Sequence, residues 1–159
     1  MDIGNLENVI HNIVDKAIVK EIMSLQLAVR LIEAVEEKAS KRGLAVVVAV
    51  SDASGRPVAV HCMDGAYHGS FDVAVNKAYT STAFQMSTEK LSGLCQPGQE
   101  LYGLQFSNCG KVMILGGGEP FMVGKTMIGA LGVSGGSAKE DASLAAYGAS
   151  ILKEVIECL

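Results

Sequence analysis

The most constraining feature of the sequence is a junction at residues 63–78, where an apolar segment ends in a turn and a helix follows at once. The Asp-Gly pair at residues 64–65 predicts the turn, because glycine accepts positive φ and aspartate can hydrogen-bond its own backbone two residues on. Ser70 is the predicted N-cap of the helix. Unpaired N–H groups at a helix start favour anions, so we expect this junction to form one wall of a ligand pocket. The helix presents three apolar residues at helical spacing, Phe71, Val75 and Ala78.

Length and composition indicate one soluble domain of ordinary size. The chain has 159 residues, 49% of them apolar, which is enough for a single core and too little for two. Its net charge is −4 and it has no basic run, so a nucleic-acid-binding surface is not expected. No apolar run is long enough to cross a membrane, and the first residues lack the basic start of a signal peptide. We therefore expect a cytoplasmic location.

Cysteine and histidine spacing does not indicate a metal site or a catalytic nucleophile. The four cysteines lack C-x-x-C spacing and the three histidines lack zinc-protease spacing, so plain buried thiols are the simpler interpretation. No nucleophile stands beside a recognisable base, and we assign no catalytic residue. The residues concerned are Cys62, Cys95, Cys109, Cys158, His11, His61 and His68.

The first twenty residues are predicted to form a separate amphipathic helix. Apolar side chains recur through residues 5–20 at the spacing of one helix face, with charged residues between them. A helix this short is marginal alone in water, so it must dock on something, such as its own domain, a neighbouring subunit or another protein. Residues 1–20 are accordingly predicted to form an extension, and residues 22–159 are predicted to form the domain. The apolar stripe consists of Leu6, Val9, Ile10, Ile13, Val14, Ala17 and Ile18.

The remaining pattern predicts an α+β fold with a five-stranded antiparallel sheet and helices packed on it. The first two strands are joined by a segment rich in turn formers, which favours a hairpin, and the last two are joined by Gly124-Lys125 as a second hairpin. Helices are predicted after the capping residues Ser24, Ser87 and Ser137. The predicted strands are Leu44–Val50, Val58–Met63, Lys111–Leu115, Glu119–Val123 and Thr126–Val133.

A run of three glycines at residues 116–118 leaves two interpretations open. Its surroundings lack the spacing of a nucleotide phosphate loop, and it follows a predicted strand without opening a helix. The glycines either permit a tight turn and close backbone approach, or form the floor of a site for a flat ligand.

Several short motifs, taken in their order, resemble the GlcG/HbpS-like family, which includes the C-terminal domain of PduO-type proteins. The resemblance runs from about Leu25 to the C-terminus. It implies a profilin-like α+β fold, assembly into a homo-oligomer between a dimer and an octamer, and, in several members, haem binding. The motifs are Val48–Gly55, Met63–Ala66, Ser70-x-Asp72-x-Ala74-x-x-Lys77-Ala78, Gln96–Gly98, Leu101–Gly103, Asn108-x-Gly110, Gly116-Gly117-Gly118-x-Pro120 and Ile128–Gly136.

The predicted ligand site lies around the helix that starts at Ser70. Lys77 falls two turns into that helix and is either a surface lysine or, as the family resemblance implies, a residue that faces an anionic group such as a propionate or carboxylate. An imidazole could ligate haem iron, and the two candidates are His68 in the turn and His61 in a strand. The residues predicted to surround one cavity are Ser70, Lys77, Asn108, Gly116, Gly117 and Gly118.

Two functions follow from these observations. The favoured one is a non-enzymatic accessory protein of a bacterial catabolic pathway that binds haem or another tetrapyrrole. The alternative is an enzyme or accessory subunit acting on a small carboxylate or a corrinoid, as the PduO-type resemblance implies. Residues 1–20 also resemble the tags that bring enzymes into bacterial microcompartments, so a shell protein is a candidate partner.

Overall fold

Four strands form one antiparallel sheet in the computed structural model, which describes residues 22–159. Their spatial order is β2-β1-β4-β3, so the two hairpins meet through the central β1–β4 pair. Both predicted hairpins, and the α+β class, are confirmed. The helix predicted within residues 1–20 lies outside the described residues. The strands are β1 (Val47–Asp52), β2 (Pro57–Cys62), β3 (Gly118–Val123) and β4 (Thr126–Ser134).

Helices cover both faces of the sheet. One face carries α2, and the opposite face carries α1, α4 and α5 over the main core. Ser24 caps α1 by accepting from the Leu27 N–H at 3.1 Å, and Ser137 forms a capping box with Glu140 at the start of α4, as predicted. The helices are α1 (Leu25–Ser40), α2 (Ser70–Phe84), α3 (Thr88–Leu94), α4 (Ala138–Ser150) and α5 (Leu152–Glu157), with two 3-10 turns at Leu104–Phe106 and Asn108–Gly110.

The predicted fifth strand, Lys111–Leu115, is wrong. Its backbone bonds to α2 and not to a neighbouring strand: the Met113 N–H donates to the Thr80 hydroxyl at 2.8 Å, and that hydroxyl donates to the Lys111 carbonyl at 3.3 Å. A buried backbone needs partners, and here a threonine side chain supplies them. The segment therefore runs along the helix as irregular backbone, and the sheet has four strands.

Helix α2 also differs from the prediction in its first residue and in the side chains that it buries. Gly69 occupies the N-cap position without a side-chain hydrogen bond, and Ser70 is the first helical residue, buried to 6% exposure. Phe71 is 45% exposed, so it does not belong to the inward face. The buried residues of α2 are small or polar, namely Ser70, Ala74, Lys77, Ala78, Thr80, Ser81 and Thr82.

The main core fills the space between the sheet and α1, α4 and α5. α1 contributes one unbroken apolar face, as the sequence predicts, and β1 and β4 contribute alternate residues. None of the helices between residues 22 and 159 combines the length and the apolarity that a membrane crossing requires. The largest fully buried apolar side chains here include Leu27, Leu31, Ile32, Val35, Phe121, Leu131 and Leu144.

Candidate functional site

Helix α2 lies unusually close to the sheet because glycine and alanine meet at the contact. A side chain on Gly132 of β4 would overlap the carbonyl oxygen of Ala74, so α2 rests directly on the strand backbone. Ala78 and Ala49 complete this small-residue contact. The close approach fixes the depth of every other α2 side chain that faces the sheet.

Lys77 is buried in the middle of this contact and is 1% exposed. Its ammonium donates to the Val133 carbonyl oxygen and to Asp141 Oδ2, each at 2.8 Å. The other carboxylate oxygen of Asp141 accepts from the Gly136 N–H at 2.9 Å. The Lys77–Asp141 pair thus ties together α2, β4, the turn after it and α4.

Burial opposes the charge on both members of this pair. Desolvation lowers the pKa of Lys77 below its ordinary value, although the hydrogen bond and attraction to Asp141 act in the other direction. Desolvation likewise raises the pKa of Asp141, against the effect of Lys77 and the Gly136 N–H. Each charge therefore depends on the other, and removing either one leaves an uncompensated buried group.

The glycine run packs around the Lys77–Asp141 pair. A Cβ on Gly117, whose φ is +119°, would lie 2.9 Å from Lys77 Nζ and 2.8 Å from Asp141 Cβ. The Gly118 N–H donates to the Thr88 hydroxyl at 2.8 Å. The structure thus brings Lys77, Gly117 and Gly118 together in a tightly packed cluster, which favours the close-approach interpretation of these glycines.

Ser70 lies at the start of α2, and Asn108 contacts this helix through Tyr79. Asn108 donates from Nδ2 to the Tyr79 hydroxyl at 2.9 Å. Tyr79 and Lys77 are two residues apart, so their side chains leave the helix about 200° apart. Ser70 is buried at the first turn. Gly116 lies against α4, where an added Cβ would be 2.9 Å from the Ala138 carbonyl oxygen. The predicted residues therefore lie at different places around α2 and α4, and ligand binding by them stays a prediction.

The two candidate haem ligands have different surroundings. His61 of β2 lies with Nδ1 at 3.3 Å from Glu36 Oε2 of α1, and its side chain is 37% exposed. His68 is exposed in the loop that leads into α2. Its neighbours Tyr67 and Phe71 are 75% and 45% exposed. Residues 67–71 thus expose an imidazole and two aromatic side chains, which are the types that ligate haem iron and stack on flat ligands.

Sequence reasoning missed Asp141 and the two exposed aromatic residues. Asp141 stands three and four residues before Leu144 and Ala145, which puts a carboxylate on the inward face of α4. A carboxylate on an apolar face requires a buried partner, so this spacing could have indicated a buried ion pair, although not that Lys77 is the partner. No sequence pattern indicates that Phe71 is exposed, because its spacing fits the apolar face of the helix.

Two surface grooves lie away from this site, one on each side of α5. The larger, about 320 Å³, lies between α1 and α5 and includes Tyr147 and Val155 in its lining. The smaller, about 280 Å³, lies between α5 and the β3–β4 hairpin. None of the predicted ligand-binding residues lines either groove. Across residues 22–159, no group of three or more His, Cys, Asp or Glu side chains is arranged to hold a metal ion.

Comparison with known proteins identifies similar chains of the same fold. A family described as "Haem degrading protein HbpS-like" matches residues 23–150. An uncharacterised 15.0 kDa protein from the dhaT-dhaS intergenic region of Citrobacter freundii is 39% identical over 123 residues, which are 77% of this chain and 87% of that protein.

Two further relatives carry the name PduO. The corrinoid adenosyltransferase PduO of Salmonella typhimurium is 38% identical over 116 residues, which are 73% of this chain but only 34% of that enzyme. The crystal structure of a PduOC:heme complex is 35% identical with a TM-score of 0.78, and the match covers 81% of this chain and 94% of that one.

Proposed function

The chain belongs to the HbpS-like family, and we propose on that basis that it binds haem or another flat tetrapyrrole. We further propose that it acts by binding and not by catalysis, because its sequence places no nucleophile beside a recognisable base. The main support for haem binding is the similarity of this chain to the chain of the PduOC:heme complex over most of both lengths. The exposed surface around His68 supports it, because it offers an imidazole and two aromatic rings without any rearrangement of the core.

In this proposal His68 is the iron ligand. Its imidazole is exposed, whereas His61 would have to leave Glu36 before binding iron. Tyr67 and Phe71 would cover the faces or edges of the macrocycle, since exposed aromatic rings stack well on flat ligands. Ser70 and Asn108 would border the ligand along α2, and Lys77 would contribute by fixing α2 from within.

A haemin titration of the purified full chain tests the proposal. We expect a Soret band that shifts from the position of free haemin and saturates near one haem per chain at micromolar protein. The shift arises because a protein nitrogen replaces water on the iron. A spectrum that is the sum of free haemin and protein at every ratio would contradict haem binding.

A corrinoid is the second candidate ligand, and the names of the PduO relatives favour it. The chain spans only about a third of the Salmonella enzyme, so the activity of that whole protein does not transfer with the match. Titration with cob(III)alamin in place of haemin separates the two candidates. Spectral change with the corrinoid and none with haemin would favour the accessory role in corrinoid metabolism.

The proposal also includes the assembly of several chains. We propose a closed homo-oligomer, because large apolar side chains such as Tyr102 and Phe106 remain 63% and 81% exposed on one chain. A mass of 16.6 kDa at all concentrations by light scattering would contradict it.

We also propose that the protein works in a bacterial catabolic pathway and associates with a microcompartment through residues 1–20, with a shell protein as partner. The match to the PduO relatives supports this proposal. The expected result is co-purification of the full chain with shell protein and loss of that co-purification when residues 1–20 are deleted. Equal recovery of both chains with the shell would contradict the proposed role of the segment.

A further inference from the structure

The smaller groove beside α5 has an apolar floor and a polar rim. Its floor consists of Met122 and Val123 at the tip of the β3–β4 hairpin and Leu152 and Ile156 of α5. Met122 is 44% exposed, and Lys153 on the rim exposes 88% of its side chain. An apolar depression with a charged rim is the kind of surface that accepts the apolar face of an amphipathic helix.

The chain enters the described fold close to this groove. Met23 is buried, and a Cβ on Gly129 of β4 would lie 3.4 Å from the Met23 Cβ. Gly129 pairs with Phe121, which immediately precedes Met122 on β3. With a strand spacing of about 4.8 Å and about 3.8 Å between successive Cα atoms, Met23 therefore lies within roughly 13 Å of Met122 on the groove floor.

The sequence before Met23 supplies an occupant of the right chemistry. Seven apolar residues of the stripe defined above lie within residues 5–18, and four residues, 19–22, connect that stripe to Met23. Four extended residues span roughly 13 Å, which covers the distance from Met23 to the groove. Ile22 is 55% exposed and would continue the apolar contact toward the groove.

We propose that residues 5–18 of the same chain dock across the groove between α5 and the β3–β4 hairpin. The apolar stripe covers Met122 and Ile156, and the charged face of the segment stays in water. The short tether makes this groove accessible at high effective concentration, which favours the same chain over a partner. The shell binding proposed above would use the same stripe, so one molecule would not do both at once.

Hydrogen exchange of the full chain tests the docking. We expect the backbone amides of residues 6–18 to exchange at least about tenfold more slowly than in a free peptide of residues 1–21, because a docked segment must open before it exchanges. Met122→Glu should remove that protection, since it places a charge on the groove floor. Leu115→Glu is the matched control, because Leu115 is similarly exposed at 49% and lies outside the groove.

A second variant and a cross-link separate the other outcomes. Ile13→Asp alters only the stripe and should also remove the protection while leaving the folded domain intact. In a mixture of isotopically labelled and unlabelled chains, an amine-reactive linker should join Lys16 or Lys20 to Lys153 within one chain. Links between labelled and unlabelled chains, protection that survives Met122→Glu, or protection that arises only after shell protein is added would each overturn the proposal.

Discussion

Asp141→Ala is expected to lower the free energy of unfolding by ~3–5 kcal/mol, the range found when one partner of a buried ion pair is removed. The reason is the position of Lys77: its ammonium is 2.8 Å from Asp141 and lies in a site that is 1% exposed. Without the carboxylate, Lys77 must either stay charged in a dry site or give up its proton. Urea denaturation followed by circular dichroism measures the loss.

A double variant and a surface pair provide the controls for Asp141→Ala. Lys77→Met with Asp141→Leu removes both charges and should recover much of the lost stability, because well-packed apolar groups often replace a buried pair without cost. Glu37→Ala removes an exposed pair with Lys41 and should leave the urea midpoint nearly unchanged. If Asp141→Ala does not fold, Asp141→Asn keeps an acceptor for the Gly136 N–H and allows the comparison. A midpoint for Asp141→Ala equal to that of wild type would show that the pair does not hold α2 and α4 together.

Gly132→Ala is the second substitution with a large expected effect, a loss of about 3 kcal/mol, at the upper end of what overpacking costs. The added Cβ would overlap the Ala74 carbonyl oxygen, so either α2 lifts from the sheet or β4 moves away from α2 and strains its pairing with β1. Both movements also displace Lys77. We therefore expect a lower thermal midpoint and, in the same variant, weaker haem binding.

Gly93→Ala is the matched control for Gly132→Ala. Gly93 lies within α3, and a Cβ there meets nothing within 4 Å. Alanine is favoured over glycine in a helix by about 1 kcal/mol, so this variant should be as stable as wild type or more so. A Gly132→Ala protein as stable as the Gly93→Ala protein would show that α2 does not rest on the β4 backbone.

Local chemistry explains which parts of the fold the sequence could predict. The caps at Ser24 and Ser137 depend on residues within one helical turn, and the hairpin turns depend on neighbouring residues, so both were predicted correctly. The supposed strand Lys111–Leu115 depends on which group its backbone meets. Its partner, Thr80, stands about thirty residues earlier in the sequence, and apolar periodicity carries no information about such a contact.

Hydrophobicity could not predict which side chains of α2 contact the sheet, because the helix packs on the sheet through small residues. The apolar spacing selected Phe71, whereas the close contact with Gly132 requires Ala74 and Ala78 and leaves Phe71 exposed. The same contact buries Lys77, which the sequence suggested as an anion-facing residue. Its carboxylate partner Asp141 is 64 residues away in the sequence, so the pair becomes visible only in the folded chain.

The exposed surface around His68 is the proposed haem site. Haemin titrations of the wild type, His68→Ala and His61→Ala, followed at the Soret band, test it. We expect a saturable shift for wild type and for His61→Ala, and a loss of affinity of at least about tenfold for His68→Ala, which corresponds to ~1.4 kcal/mol of binding free energy. Binding to His68→Ala with the spectrum and affinity of the wild type would contradict it.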